Sequence, residues 1–178
     1  MINRAWGYGQ RVVPKPVGFP VVTKDLEGNR FEVQVHGVGI IPGGDSWDLW
    51  VIDRYKIHKS ARKDAQNDVL PVQPHSYQED WDLITEKVLE RGYPLSDDSG
   101  RVMMPKVVGC DSAGRKGTTS MAYKYWRRLK KQGKHQRFTL LKGDSVKSSP
   151  RVKVSFPDSE RKDRNAGARG DIPVLHLN

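Results

Sequence analysis

Apolar and polar side chains alternate with a period of two in Phe31-Glu32-Val33-Gln34-Val35. That pattern belongs to a strand with one face buried and the other wet. The segment before it, residues 18–24, is short and apolar and predicts a first strand, with Pro20 placing its start at an edge. Glu27-Gly28-Asn29 and Pro42-Gly43-Gly44-Asp45 supply tight turns, and Trp47 to Ile57 predicts a third strand. In that strand Leu49, Val51, Tyr55 and Ile57 are expected on one face. Three strands joined by short turns make an antiparallel meander.

Residues 58–75 are polar, carry Pro71 and Pro74, and read as a long loop. Ser76-Tyr77-Gln78-Glu79 matches a capping box for a helix with Trp81, Ile84 and Val88 on one stripe. Gly92 and Pro94 close that helix. Residues 104–110 predict a fourth strand. Thr118 or Thr119 can cap a second helix that gathers Ala122, Tyr125, Trp126 and Leu129 on one face and ends at Gly133. Phe138 to Leu141, an arm over Arg151 to Phe156, and Ile172 to Leu177 are further strands. Strand–helix–strand units after the meander require crossovers, so the fold class is α/β: a mixed sheet, the meander plus parallel strands, flanked by helices.

Composition sharpens this outline. The 178 residues suffice for one domain. Mean hydropathy is −0.70, low enough to expect unpacked length: a leader or linker at 1–17 and a charged mobile segment near 157–171. No apolar run could span a membrane, and no apolar signal core opens the chain, so a cytoplasmic setting fits. The single cysteine, Cys110, excludes an internal disulfide and any multi-cysteine zinc site, and its strand position predicts a buried small apolar group.

Charge is uneven. Residues 1–100 carry 12 Lys+Arg against 15 Asp+Glu, net −3; residues 101–178 carry 19 against 6, net +13. A field of that sign attracts phosphate backbones without regard to sequence, although runs of charge also serve only solubility. The second helix presents Lys124, Arg127, Arg128 and Lys131 opposite its apolar face, followed by Lys134 and Arg137. Such groups position a nucleic-acid backbone and do not read bases.

Asp25 and Asp111 each sit where a predicted strand ends, in Val21-Val22-Thr23-Lys24-Asp25 and Lys106-Val107-Val108-Gly109-Cys110-Asp111. Alone, each is an ordinary strand-ending turn residue. On neighbouring strands the pair could hold Mg²⁺ or Mn²⁺ through hard oxygen donors. Glu27 and Asp53 are weaker candidates, Asp53 because Arg54 beside it offers an ion pair. Gly109 to Lys116 begins like a phosphate-binding loop, but Arg115 and Lys116 stand where the motif needs Lys followed by Ser or Thr. That excludes a nucleotide-hydrolysing site and leaves Arg115 and Lys116 as contacts for a phosphate ester.

Several stretches, in order along nearly the whole chain, resemble one family. They include Gly9-Gln10-Arg11-Val12-Val13-Pro14-Lys15, Asp25 before Asn29-Arg30-Phe31-Glu32-Val33-Gln34-Val35-His36-Gly37, and Trp50-Val51-Ile52-Asp53-Arg54. Tyr77-x-x-Asp80-Trp81, Cys110-Asp111-Ser112-Ala113-Gly114 and Val174-Leu175-His176-Leu177-Asn178 continue the series. The chain resembles the nuclease part of the large terminase subunit of tailed bacteriophages, the lambda-type GpA family. The resemblance implies an RNase H-like fold over residues 18–178 and a metal-dependent endonuclease that cuts concatemeric viral DNA during packaging. Double-stranded DNA, a small terminase subunit and a portal protein are the implied partners, in the cytoplasm of the bacterial host. The family's first two catalytic acids fall on Asp25 and Asp111. Its third acid and closing helix are expected beyond Asn178, so the nuclease domain is expected to be C-terminally incomplete. The alternative is a catalytically incomplete DNA-binding or motor-docking module from a prophage; another RNase H-like enzyme, such as a resolvase or transposase, stays open.

Overall fold

The computed structural model describes residues 9–40, 43–44, 46–146, 148–157 and 170–178. Eleven strands occur among them: β1 (Val17–Glu27), β2 (Arg30–Ile40), β3 (Trp47–Ile57), β4 (Lys59–Lys63), β5 (Val69–Pro71), β6 (Tyr93–Pro94), β7 (Val102–Met103), β8 (Val107–Asp111), β9 (Phe138–Gly143), β10 (Val152–Ser155) and β11 (Val174–Leu177). Seven of them form one mixed sheet in the order β10-β11-β9-β8-β1-β2-β3. The meander β1-β2-β3 is antiparallel, β8, β9 and β11 run parallel to β1, and β10 returns antiparallel on the far edge. The α/β class and the mixed sheet match the sequence pattern.

Strand parity decides which side is covered. Val22 on β1, Phe31, Val33 and Val35 on β2, Val108 and Cys110 on β8, and Phe138 and Leu140 on β9 are all buried. Against them lie a helical run over 79–89 and α2 (Thr118–Lys131). Rings of Phe31, Trp81, Tyr125 and Phe138 chain together, with successive centroids 5.9, 5.5 and 5.1 Å apart. Each such pair contributes about 0.5–1.5 kcal/mol beyond area burial. Helices on both faces were expected; among the described residues both helical elements share this one face. Toward the β1–β2 turn the other parity carries Thr23, Asp25, Glu32 and Gln34, a polar row that offers a helix no apolar seat there.

Several local expectations are corrected. Residues 58–75 contain the β4–β5 hairpin, because the Asp64 carboxylate accepts from the Gln66 and Asp68 amides (3.0 and 2.8 Å) and Asn67 adopts φ 69°. The capping box at Ser76 does not form: the helical run starts at Glu79, with no side-chain cap at Gln78, and breaks into a 3-10 turn, α1 (Asp82–Ile84) and a π turn. Neither Thr118 nor Thr119 caps α2; Gly117 occupies the cap position at φ 100°, and Thr119 Oγ1 donates to the Ser112 carbonyl (2.8 Å). A Cβ at Gly117 would also meet the His75 carbonyl oxygen at 2.5 Å.

On β3 the expected single face splits. Val35 pairs with Asp53 but His36 pairs with Val51, which leaves Ile52 as an extra residue. This bulge inverts parity, so Leu49 and Val51 point outward, each 62% exposed, while Ile57 is buried. Within residues 9–17, Val13 and Val17 are buried and Val13 bridges Leu95, so this part of the expected leader packs on the domain. Residues 1–8 and the core of the expected mobile segment, 158–169, lie outside the described residues.

Candidate active site on the uncovered sheet face

The β1–β8 register runs Val21–Val107, Val22–Val108, Thr23–Gly109 and Lys24–Cys110. One step further, Asp25 and Asp111 stand at equivalent positions on adjacent parallel strands. Both lie on the uncovered face and both line a cleft of about 630 Å³. Asp25 is inside β1, not at its end, since β1 continues to Glu27. Its Oδ1 accepts from the Leu26 amide (2.7 Å), and Asp111 Oδ1 accepts from the Ala113 amide (2.9 Å). Those bonds orient both carboxylates and leave the Oδ2 atoms without a hydrogen bond among the described residues.

The meander extends the site sideways. Asp25 pairs with Glu32, which pairs with Lys56; Thr23 pairs with Gln34, which pairs with Arg54. All line the same cleft. Arg30 binds Glu27 and Glu32, and Lys56 Nζ lies 3.1 Å from Glu32 Oε1. These cations hold the Glu32 carboxyl below its ordinary range against the opposing effect of burial. Glu27 and Glu32 are therefore committed to Arg30 and Lys56, whereas Asp25 and Asp111 have no cation at salt-bridge distance among the described residues. No group of three or more His, Cys, Asp or Glu side chains that could hold a metal ion occurs among those residues.

Lys24 alternates away from the cleft. It is 3% exposed, with Nζ 3.3 Å from Cys110 Sγ and 3.9 and 4.4 Å from the Phe31 and Trp81 ring centroids. Burial pushes its pKa down and pushes the Cys110 thiol up.

The cations nominated from sequence divide. Arg115 and Lys116 are exposed in the loop after Asp111, and a Cβ on Gly28 would come within 3.4 Å of Arg115 Nη2, so Arg115 reaches the β1–β2 turn. Lys124 and Lys131 are exposed on α2, across the sheet from Asp25 and Asp111. Others are engaged within the molecule: Arg127 with Asp171 (2.9 Å), Arg128 with Asp82 (2.6 Å), Lys134 with Glu90, and Arg137 with the Leu89 and Pro105 carbonyls (2.6 and 2.8 Å). Asp53 pairs with Arg11 and Arg91, not with Arg54. Sequence reading missed Arg30, Arg54 and Lys56 as cleft residues; alternation against Tyr55 and Ile57 would have found the last two.

No helix among the described residues is long and apolar enough to cross a membrane. Neither a curated protein nor a solved structure matches the chain. A family model does: that of the terminase large subunit gpA endonuclease domain covers residues 1–178, and the chain belongs to this family.

Proposed function

We propose that this domain is a divalent-metal-dependent endonuclease that cuts double-stranded DNA, as one step of viral genome packaging in the bacterial cytoplasm. The observation that carries the reading is the register that sets Asp25 and Asp111 side by side in one open cleft. The strand order β3-β2-β1-β8-β9, with β2 antiparallel to its neighbours, supports an RNase H-like assignment. Family membership supports the nuclease class and, through it, a small terminase subunit and a portal protein as partners.

The donor set fits the ion. Mg²⁺ and Mn²⁺ favour hard oxygen ligands, and Mg²⁺ is commonly held by one or two carboxylates with water and substrate phosphate completing its shell. Asp25 and Asp111 would hold it through their unbonded Oδ2 atoms. When bound, such an ion lowers the pKa of water and neutralises charge on the phosphoryl group and leaving oxygen. The chain's own residues perform the rest. The Leu26 and Ala113 amides hold the two carboxylates in place. Arg54 and Lys56 on one side, with Arg115 and Lys116 by the loop, attract and position the phosphodiester backbone.

Plasmid nicking in Mn²⁺ tests the reading. Asp111→Asn removes a ligand charge while keeping size, and is expected to lower cleavage by at least about a hundredfold. Salt-sensitive DNA binding in chelator should change little. Equal nicking by variant and parent would overturn the assigned role. Binding without nicking by the parent would favour the docking-module alternative.

A further inference from the structure

Beside the proposed active cleft lies a second cavity, of about 360 Å³, at the end of β3. Tyr55, Lys56, His58, Lys59, Lys87 and Arg91 line it with Ile57, and no carboxylate does. Lys56 borders both cavities. The fold builds this bay from separate segments. Tyr55 Oη donates to the Lys87 carbonyl at 2.6 Å, clamping the helical run to β3, and the Arg91 guanidinium lies 4.5 Å from the Tyr55 ring centroid. Arg91 is shared with Asp53 (3.2 Å) and Lys56 with Glu32 (3.1 Å). Lys59 and Lys87 are exposed and have no carboxylate partner among the described residues.

We infer that this bay binds the phosphodiester backbone of the DNA strand running from the Asp25–Asp111 cleft, independently of sequence. The inference rests on the nuclease reading for the identity of the polyanion. Two adjoining cavities joined at one lysine suit a continuous chain of phosphates better than a single small anion. Duplex DNA carries one negative charge per ~1.7 Å of axis, so the uncompensated Lys59 and Lys87, flanked by the shared cations Lys56 and Arg91, find several phosphates within reach. Side-chain ammonium groups contact phosphate as point charges, which positions a backbone without reading bases.

The test is fluorescence anisotropy with a labelled duplex in chelator, titrated across salt concentration. Each lost phosphate contact lowers the slope of log K against log salt by about 0.9. Lys59→Ala/Lys87→Ala is therefore expected to reduce that slope by about 2 and weaken binding roughly tenfold, with Lys59→Arg/Lys87→Arg restoring both. Unchanged binding and slope in the alanine pair would overturn the bay. So would a loss of slope in Lys124→Ala/Lys131→Ala on α2 but not in the bay variant, or a parent that binds no duplex. The nuclease reading fails separately, through Asp111→Asn that nicks as the parent does while the bay variant still binds weakly.

Discussion

Lys24 and Asp25 are adjacent in the chain and face opposite sides of the sheet. Strand geometry alone produces the separation, since successive side chains point to opposite faces. An ammonium next to a metal-ligand candidate is harmless when it is buried against Phe31, Trp81 and Cys110 instead of entering the cleft. Asp80 illustrates the reverse case, a residue whose role no local pattern announced. It is fully buried and accepts from Arg62 Nη2 (2.9 Å), the Gln73 amide (2.7 Å) and the Ser60 hydroxyl. These bonds fasten the β4–β5 hairpin to the helical run. Removing the carboxylate strands a half-buried guanidinium and two other donors, so Asp80→Ala is expected to cost about 3–5 kcal/mol. Urea denaturation measures it; a loss under about 1 kcal/mol would mean the hub is incidental.

Among elements, the parallel pairing of β1 with β8 matters most. A slip of one residue would turn Asp111 into the core and bring Cys110 to the cleft. Register is held by Val22 and Val108 on the covered face, and by Gly109, where a Cβ would meet Leu141 Cδ1 at 2.8 Å. The opposite edge is weaker. β10 pairs only with β11, and Asp144, held in a turn by the Val146 amide, ties it down through Lys153. The Lys153 ammonium, then that amide, holds the Asp144 carboxyl from its ordinary 3.8 down to about 2. A depressed carboxylate stabilises the fold above its unfolded value, and that contribution fades as pH falls through the folded value. The protection of the Lys153 and Ser155 amides, which face β11, relative to an unstructured chain at the same pH is therefore expected to fall between pH ~4 and ~2. Asp144→Asn should show low protection throughout and lose this pH dependence of protection; an unchanged protection profile in the variant would remove Asp144 as the cause.

For the molecule as a whole, the covered core closes through Phe31, Trp81, Tyr125 and Phe138, remote from Asp25 and Asp111. Chelation is accordingly expected to abolish cleavage while leaving the thermal midpoint and far-ultraviolet dichroism unchanged. A fall of several degrees in chelator would make the ion structural. Charge summed over halves of the chain pointed to α2 as the DNA track. Folding redistributes it, because Asp82 and Glu90 from the acidic half cover Arg128 and Lys134, while Lys56, Lys59, Lys87 and Arg91 from that same half gather in one bay. Legible without coordinates were the period-two alternation of β2, the aromatic face of α2 and the place of Asp111 at the end of β8, because periodicity and turn chemistry are local properties. The bulge at Ile52, the single covered face, Asp80's partners and the cationic bay were not, because each depends on pairing between residues distant in sequence. Local pattern states which face of an element is apolar; which other element meets it, and which charges remain uncompensated, follow only once the chain has closed on itself.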